Sequence, residues 1–362
     1  METFNIRYSG DFLDEKGDVA NGYLGEGIYS DVPYIKYDFL MDQAPQMGDQ
    51  TYKDRLYSLT IEPHHLVGTN GLVIIRPYVK RSTFAQGAES LVAIGRAGVG
   101  VDKIDLQACT ENDVVVFNAP GTLTHSTASA AMLFILALAK KLPQQEKMAR
   151  TGDWSEQAGV TGDDLVGQTL GLIGLGRIAL ELVRLLAPFK MNVIAYDPYI
   201  DQSKAQEANV KLIDDIDTLL RESDYVSMHC LLNDDTRGMI GEREFRLMQP
   251  TAYFINVGRG ELVRQTALVK ALQEGWIAGA GLDVFEHEPL PADDPLTELN
   301  NVILSPHWLP TTHKVVKDVM NMVSAEMCRI SQGKLPDNVV NPEVLSRSGF
   351  QKKLKRYAIN AI

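Results

Sequence analysis

The segment QTLGLIGLGRIA at residues 168–179 constrains the fold of this chain more than any other. Its apolar run Leu170–Ile173 is typical of a buried strand, and Ile178–Leu186 has the pattern of an amphipathic helix. The glycines between them, Gly174 and Gly176, have the spacing of a dinucleotide-binding turn. In such a turn the first glycine permits the sharp bend and the second lets a pyrophosphate approach the backbone. The segment therefore predicts a nucleotide-binding βαβ unit.

The residues around this turn also indicate which nucleotide binds. The amides of Arg177 and Ile178 open the predicted helix, where the positive end of its dipole would face the phosphates. Asp197 follows the next apolar run, Asn192–Tyr196, at the position where an acidic residue hydrogen-bonds the adenine ribose. A 2′-phosphate would meet this carboxylate as a like charge. The pattern therefore favours NAD over NADP.

Length and composition limit the possible classes of protein. A chain of 362 residues with 45% hydrophobic and 23% charged residues is typical of a globular protein with two domains. The net charge of −12 argues against nucleic acid and anionic membranes as partners, and it requires local cations for any anionic substrate. The N-terminus has no signal-peptide core, and the longest apolar run, Ala128–Ala139, is too short to span a bilayer. We expect a cytoplasmic protein.

Apolar runs alternate with helical patterns almost throughout, which predicts an α/β fold with parallel sheets. The strands that begin at the glycine turn would form a doubly wound Rossmann cofactor domain at residues 125–309. Earlier strands would form a smaller flavodoxin-like substrate domain at residues 1–124. The remaining residues, 310–362, would return to that first domain, so the cofactor domain is inserted into a discontinuous substrate domain. We place hinges near Gly121–Thr124 and Leu309–Thr312, with a cleft between the domains.

The predicted strands of the first group are Phe4–Arg7, Tyr34–Phe39, Gly71–Ile75, Leu91–Ile94 and Val114–Asn118. Those of the second group are Leu170–Ile173, Asn192–Tyr196, Tyr225–His229, Ala252–Asn256, Gly279–Asp283 and Val302–Leu304. Two long helices are predicted at Ser126–Lys141 and Val315–Ile330. The first is rich in Ala, Leu and Met, as in a buried crossover helix or in a helix of a dimer interface. Both roles are compatible.

Three further segments combine reactive residue types with a strand's carboxyl end, where ligands bind in open α/β sheets. In Asn256–Gly260 an arginine stands between two glycines, and its guanidinium could bind a carboxylate. In Gly281–Pro289 three carboxylates crowd one strand end. In Leu304–Trp308 a strand runs into Pro and His. Taken alone, the arginine segment is also compatible with a surface turn and the acidic segment with a surface loop, and a lone histidine is more often structural than catalytic.

Together these segments contain what hydride transfer beside a carboxylate requires. The oxygen on the reacting carbon needs a proton donor or acceptor, and histidine exchanges protons near neutral pH. A hydrogen-bonded carboxylate favours the protonated ring and fixes its tautomer. An arginine can hold the substrate carboxylate. The sequence thus predicts an oxidoreductase that acts on a small carboxylate substrate.

On these motifs, residues 70–342 resemble the D-isomer-specific 2-hydroxyacid dehydrogenase family. The segment IGRAGVGVD at residues 94–102 is similar to the form in its phosphoglycerate dehydrogenase branch, and Asn118–Gly121 is similar to the family's hinge signature. The resemblance implies NAD as the cofactor, no metal and a homodimer. It also implies a substrate of the phosphoglycerate, hydroxypyruvate or glyoxylate type.

The resemblance assigns a role to individual residues. His307 would be the acid/base, Arg259 would bind the carboxylate and keto group of the substrate, and Glu288 would pair with His307. The neighbouring Glu286 and His287 are not the matching positions. Backbone groups of two further residues, Val99 and Gly100, would hold the substrate carboxylate. The cofactor-binding set would be Gly174, Gly176, Arg177, Ile178, Asp197, Cys230, Val257 and Asp283, with Asp283 at the nicotinamide carboxamide and Cys230 on the adenosine side.

Two alternatives to this function remain. A family member with a divergent hydride donor, of the formate or phosphite type, would share the fold, although the formate type carries Gln rather than Glu at the position of Glu288. A nucleotide-gated scaffold similar to the family's transcriptional corepressors would retain Arg259, Glu288 and His307 as well. Such proteins carry long disordered tails, which this sequence lacks.

Overall fold

Buried apolar runs form two separate parallel sheets in the computed structural model. The structure describes residues 1–30 and 32–360, so Asp31 and the last two residues of the predicted return segment lie outside it. The chain divides into two compact units: Met1–Leu123 with Thr312–Ile362 form the first, and Thr124–Thr311 form the second. Each unit is built around one sheet.

The first unit contains a five-stranded parallel sheet in the order β2-β1-β3-β4-β5. Its strands are β1 Phe4–Tyr8, β2 Ile35–Phe39, β3 Gly71–Ile74, β4 Ala93–Arg96 and β5 Val115–Phe117. This strand order is that of the flavodoxin-like fold. All five predicted strands are present, and β4 begins and ends two residues later than predicted. The sheet is covered on both faces, which explains its nearly continuous apolar strands.

The second unit contains a seven-stranded parallel sheet in the order β12-β11-β10-β9-β6-β7-β8. Its strands are β6 Thr169–Ile173, β7 Asn192–Tyr196, β8 Lys211–Leu212, β9 Tyr225–Met228, β10 Tyr253–Asn256, β11 Gly279–Leu282 and β12 Val302–Leu304. The order reverses between β6 and β9, which is the topological switch point where Rossmann folds bind their ligands. Strand β8, with two residues, was not predicted.

The α-helices connect these strands. They are α1 Tyr52–Arg55, α2 Leu106–Glu111, α3 Thr124–Ala139, α4 Leu142–Thr151, α5 Arg177–Leu186, α6 Gln202–Glu207, α7 Ile216–Glu222, α8 Glu242–Leu247, α9 Gln265–Gln273, α10 His313–Ser331 and α11 Ser348–Lys355. No described helix is by itself long and apolar enough to cross a membrane. Helices α3 and α4, bent by 63° at their junction, reach that length and composition as a pair.

Helix α3 is the predicted alanine-rich helix, shifted by two residues. Most of its side chains are buried in the second unit against α5, β10 and β11. A Cβ on Gly281 of β11 would lie 2.6 Å from Phe134, so this glycine allows the helix to lie close to the sheet. The helix is therefore a buried crossover helix. Leu133 differs from its neighbours, because this large apolar side chain is 49% exposed.

The C-terminal segment packs on the sheet of the first unit. Helix α10 buries Val315, Val319, Val323, Met327 and Ile330 in the core around β1 and β4. These positions follow helical spacing and form one apolar face. Helix α11 adds Phe350 and Leu354 to the same core, and the ring of Tyr357 packs edge-on against Phe4 with 4.9 Å between centroids.

Candidate active site

The glycine turn between β6 and α5 has the geometry expected of a phosphate-binding loop. Gly174 has φ +91°, and a Cβ on it would lie 2.6 Å from the amide nitrogen of Cys230, so a side chain is excluded there. A Cβ on Gly176 would have no described atom within 4 Å, which leaves its backbone open to a ligand. Gly176 is also the N-cap of α5, so the amides of Arg177 and Ile178 begin a helix without a side-chain cap.

Asp197 directly follows β7 and lies against the same turn. Its Oδ2 accepts the amide of Leu175 at 2.7 Å, and its Oδ1 accepts the amide of Tyr199 at 2.9 Å. The carboxylate therefore helps to hold the glycine turn, in addition to the ribose contact that the sequence predicts for it. The contact with the turn was not predicted from the sequence.

Cys230 follows β9 on the other side of Gly174. Burial raises the pKa of its thiol to about 11, so the thiol stays protonated at neutral pH. Its backbone packs against the turn as described above. Cys230 therefore packs beside the glycine turn as an uncharged side chain, and a protonated thiol is a poor nucleophile.

The arginine loop, residues 256–264, is organised by one buried amide. Asn256 is 1% exposed; its Oδ1 accepts the amide of Gly258 at 3.0 Å, and its Nδ2 donates to the carbonyl of Arg259 at 2.9 Å. Val257, the second residue of the loop, is buried. Arg259 is partly exposed and donates from Nη1 to the Gly258 carbonyl at 2.8 Å. The sequence indicated Arg259 but not the role of Asn256.

Asp283, at the end of β11, holds the backbone that follows the candidate histidine. Its Oδ1 accepts the amides of Trp308 and Leu309, both at 3.1 Å. Its Oδ2 is buried and has no hydrogen-bond partner among the described residues. Burial raises the pKa of Asp283, although the two backbone amides favour its charged form. A buried acceptor of this kind is suited to a ligand N–H group.

His307 and Glu288 form a hydrogen-bonded pair in the second unit. His307 Nδ1 lies 2.9 Å from Oε2 and 3.0 Å from Oε1 of Glu288. The amide of Phe285 donates to Glu288 Oε1 at 3.2 Å, which orients the carboxylate. His307 has φ +53°, a left-handed conformation that is uncommon for residues other than glycine. Such backbone conformations are concentrated at functional sites.

Glu286, two residues before Glu288, has a different role. Its Oε2 accepts the amide of Gln265 at 2.9 Å, and its own amide donates to Gln265 Oε1 at 3.1 Å. The carboxylate of Glu286 is thus directed at α9, whereas that of Glu288 is directed at His307. Glu286 has no role predicted from the sequence, because its partner is 21 residues away along the chain.

The predicted substrate-carboxylate loop, with Val99 and Gly100, lies in the first unit after β4. The carbonyl of Val99 accepts Asn118 Nδ2 at 2.6 Å, and the amide of Ala119 donates to the Gly98 carbonyl at 2.9 Å. Gly98 has φ +147°, and a Cβ on it would overlap the Arg96 guanidinium. The Asn118 segment therefore fixes the shape of this loop.

Within residues 1–30 and 32–360, one cluster has the composition of a metal site: Asp42, His64 and His65 in the first unit. His65 Nδ1 accepts the amide of Glu62 at 2.9 Å, so the proton of its neutral ring is on Nε2, which lies 2.8 Å from Asp42 Oδ2. His64 Nε2 lies 3.1 Å from the same oxygen. A metal ion would need the lone pair of His65 Nε2, which this tautomer does not offer. The cluster is a hydrogen-bonded one.

The second unit fits a bound dinucleotide. Gly176 leaves the start of α5 open to a pyrophosphate, Asp197 offers carboxylate oxygens at the end of β7, and Asp283 Oδ2 is a buried acceptor without a partner among the described residues. These three groups lie at the carboxyl ends of β6, β7 and β11.

The chain is similar to D-isomer specific 2-hydroxyacid dehydrogenases over most of its length. The family model for the NAD binding domain of D-isomer specific 2-hydroxyacid dehydrogenases matches residues 132–308. A glyoxylate reductase of Korarchaeum cryptofilum is 39% identical over 271 residues, which cover 74% of this chain and 81% of that protein. A D-3-phosphoglycerate dehydrogenase of Methanocaldococcus jannaschii is 38% identical over 309 residues, or 85% of this chain. The match spans 57% of the length of that dehydrogenase.

Solved structures show the same fold. A Thermus thermophilus protein with 26% identity superposes with a TM-score of 0.78 over 93% of this chain and 100% of its own. A D-isomer specific 2-hydroxyacid dehydrogenase from Lactobacillus delbrueckii ssp. bulgaricus, in its NAD complexed form, has 24% identity and a TM-score of 0.69, with 93% and 100% covered. These likenesses confirm the predicted α/β fold class.

Proposed function

We propose, from the premise that this chain belongs to the D-isomer specific 2-hydroxyacid dehydrogenase family, that it interconverts a small D-2-hydroxy acid and its 2-keto acid. Family membership confirms the resemblance drawn from the sequence, and NAD is confirmed as the cofactor. The family supports NAD-linked hydride transfer on 2-hydroxy acids as the type of reaction. The roles of individual residues and the substrate are our proposals.

The observation that carries the proposal is the contact between His307 and Glu288. An ionised carboxylate only accepts hydrogen bonds, so His307 Nδ1 must carry a proton in this contact. The ring therefore presents Nε2 to a substrate. In reduction, protonated Nε2 gives its proton to the C2 oxygen, and in oxidation neutral Nε2 removes the hydroxyl proton. Glu288 stabilises the positive charge of the protonated ring.

Arg259 has the chemistry to bind the substrate carboxylate. Its guanidinium can form two parallel hydrogen bonds to a carboxylate, and this supplies the local positive charge that a protein of net charge −12 needs for an anionic substrate. We assign the backbone of Val99 and Gly100 to the same carboxylate. When bound, NAD supplies the hydride acceptor or donor for C2. The predicted cofactor contacts at Val257 and Asp283 remain part of this proposal.

Glyoxylate, hydroxypyruvate and phosphohydroxypyruvate are the substrates to test first. Relatives named glyoxylate reductase are covered over most of their length, whereas the phosphoglycerate dehydrogenases are covered over 57% and 53%. The experiment measures NADH oxidation with each of these three 2-keto acids. In the reverse direction, it measures NAD+ reduction with formate and phosphite as hydride donors. Turnover of at least one keto acid that is lost in His307→Ala supports the proposal. NADH binding without turnover of any keto acid would indicate a nucleotide-binding scaffold instead.

We also propose, as predicted from the sequence, that the chain forms a homodimer through α3 and the residues that flank it. We propose that the protein acts in the cytoplasm. Support for the homodimer comes from large apolar side chains that are exposed in and after α3: Leu133 at 49%, Leu142 at 52% and Trp154 at 62%. A protein interface commonly includes such residues. The net charge of −12 argues against nucleic acid and anionic membranes as partners.

A further inference from the structure

Two loops that carry proposed active-site residues are fastened to each other. They are the arginine loop, residues 256–264, and the glutamate loop, residues 283–288. At the base of the loops, the amide of Asp283 donates to the carbonyl of Asn256 at 3.0 Å. Farther out, a Cβ on Gly260 would lie 1.9 Å from the carbonyl carbon of Phe285, so the two backbones are in direct contact. The third connection is the pair of Gln265 and Glu286.

The third connection is a reciprocal pair of hydrogen bonds. Glu286 Oε2 accepts the amide of Gln265 at 2.9 Å, and Gln265 Oε1 accepts the amide of Glu286 at 3.1 Å. Gln265 is the first residue of α9, and its N-cap, Arg264, makes no side-chain capping bond in the described structure. Glu286 therefore caps α9 from another loop, where its negative charge also meets the positive end of the helix dipole.

The pair of Glu286 and Gln265 is linked through neighbouring backbone to both Glu288 and Arg259. The amide of Phe285, adjacent to Glu286, donates to Glu288 Oε1. Any displacement of residues 285 and 286 would therefore move the carboxylate that contacts His307. On the other loop, Gly260 lies against Phe285 and directly follows Arg259. Gln265 is further anchored, because its Nε2 donates to Asp294 Oδ2 at 2.7 Å.

We propose that Glu286 and Gln265 are positioning residues that fix the position of Arg259 relative to Glu288. They thereby fix the position of the substrate carboxylate relative to the proton on His307. This inference rests on the proposed function. Neither residue touches the substrate; both act through the two loops. A cap that served stability alone would leave the pH profile and the substrate KM of the enzyme unchanged when removed.

The test compares Glu286→Ala with two matched variants. Glu286→Gln keeps an oxygen that can accept the Gln265 amide. Asp215→Ala removes another N-cap of the same unit, since Asp215 Oδ1 accepts the amide of Thr218 at 2.8 Å at the start of α7. Both alanine variants should lose similar thermal stability, because each removes one cap. They should differ in catalysis.

We expect Glu286→Ala to lower kcat/KM for the keto acid on the order of 10- to 100-fold, since small misplacements of reacting groups are costly. The pH optimum of reduction should also move to lower pH, while KM for NADH changes little. Glu286→Gln should recover most of the activity, and Asp215→Ala should retain the parent's KM and pH optimum. Equal profiles for Glu286→Ala and Asp215→Ala would overturn the positioning role.

A second readout separates this proposal from the proposed function. The titration of the His307 ring is followed by NMR in the parent, Glu286→Ala and Asp215→Ala proteins without substrate. We expect a lower midpoint in Glu286→Ala alone. If the parent turns over no keto acid but this shift is present, the proposed function fails and the coupling of the loops stands. If the midpoint is the same in all three proteins, the positioning role is wrong.

Discussion

His307 Nδ1 lies 2.9 Å from Glu288 Oε2, so the ring is held through one nitrogen, and under the proposed function the other nitrogen, Nε2, exchanges a proton with the substrate. The left-handed backbone of His307 is followed by a held segment, because Asp283 accepts the amides of Trp308 and Leu309. One carboxylate, Glu288, thus holds the ring, and a second, Asp283, holds the backbone that follows it. The orientation of a general acid is what determines its efficiency once its protonation state is suitable.

The first prediction concerns this pair. Glu288→Gln keeps a hydrogen-bond acceptor for Nδ1 but removes the negative charge that favours the protonated ring. Because reduction needs the protonated ring, its pH optimum should shift to lower pH, while KM for NADH changes little. His307→Ala should lose turnover by about 10²- to 10⁴-fold. The measurement is the pH–rate profile of each variant, and an unshifted Glu288→Gln profile with full activity would disprove the pairing's role.

A second prediction concerns the preference for NAD(H). Asp197→Ala removes the acceptor of the Leu175 amide together with the charge, so it should loosen the glycine turn and weaken both cofactors. Asp197→Asn keeps an acceptor oxygen and removes the charge alone. We therefore expect Asp197→Asn to narrow the ratio of kcat/KM for NADH over NADPH with less loss for NADH than Asp197→Ala. Equal use of both cofactors by the parent protein would contradict the assignment.

A third prediction concerns Arg259. Arg259→Ala should raise KM for the keto acid and lower kcat, because a carboxylate clamp acts in both the ground and the transition state. Arg259→Lys keeps the charge but not the planar pair of donors, so its activity should lie between those of the parent and the alanine variant. Steady-state kinetics at fixed NADH gives both constants. An Arg259→Ala enzyme with parental KM would exclude the clamp.

The sequence predicted those parts of the fold that follow local patterns. Parallel strands buried on both faces have continuous apolar runs, and the glycine turn needs specific residue types, so β6, β7 and α5 were located within one or two residues. Strand β8, Lys211–Leu212, was missed because two residues carry no periodic pattern. The pairing of Glu288 with His307 was available only through family resemblance, since its partners are 19 residues apart.

Contacts between loops were outside the reach of sequence reasoning. Whether Glu286 or Glu288 faces the histidine depends on the path of the loop, and both are acidic. Two contacts became visible only in three dimensions: the cap that Glu286 makes on Gln265, and the hydrogen bond from the Asn256 side chain to the Arg259 carbonyl. The left-handed conformation of His307 was equally hidden, because only a few per cent of non-glycine residues adopt it, although histidine does so more often than most.

A fourth prediction concerns the homodimer. Leu133→Glu places a charge on the 49% exposed position of α3, and it should convert the dimer to a monomer at micromolar concentration. Leu335→Glu is the matched control, since Leu335 is 41% exposed in the first unit. It should leave the dimer intact. Sedimentation of the three proteins measures this, and a monomeric parent would count against the proposal.

The last prediction concerns the stability of the second unit in acid. His229 directly follows β9, and its Nε2 lies 2.9 Å from Ser227 Oγ. Burial lowers the pKa of His229 from 6.5 to about 4. The unfolded chain therefore binds more protons than the folded protein between these two pH values. Consequently the free energy of unfolding should fall as the pH drops from 6.5 to 4, by at most about 3 kcal/mol.

Tryptophan fluorescence can follow this unit selectively, because all three tryptophans, Trp154, Trp276 and Trp308, lie within residues 124–311. In His229→Asn, which cannot bind this proton, the loss of stability between pH 6.5 and 4 should be smaller than in the parent. The exposed His287 gives the matched control, His287→Asn, which should keep the parental slope. Urea unfolding at several pH values measures each slope. If His229→Asn and the parent lose stability equally, His229 is not the group that makes the second unit sensitive to acid.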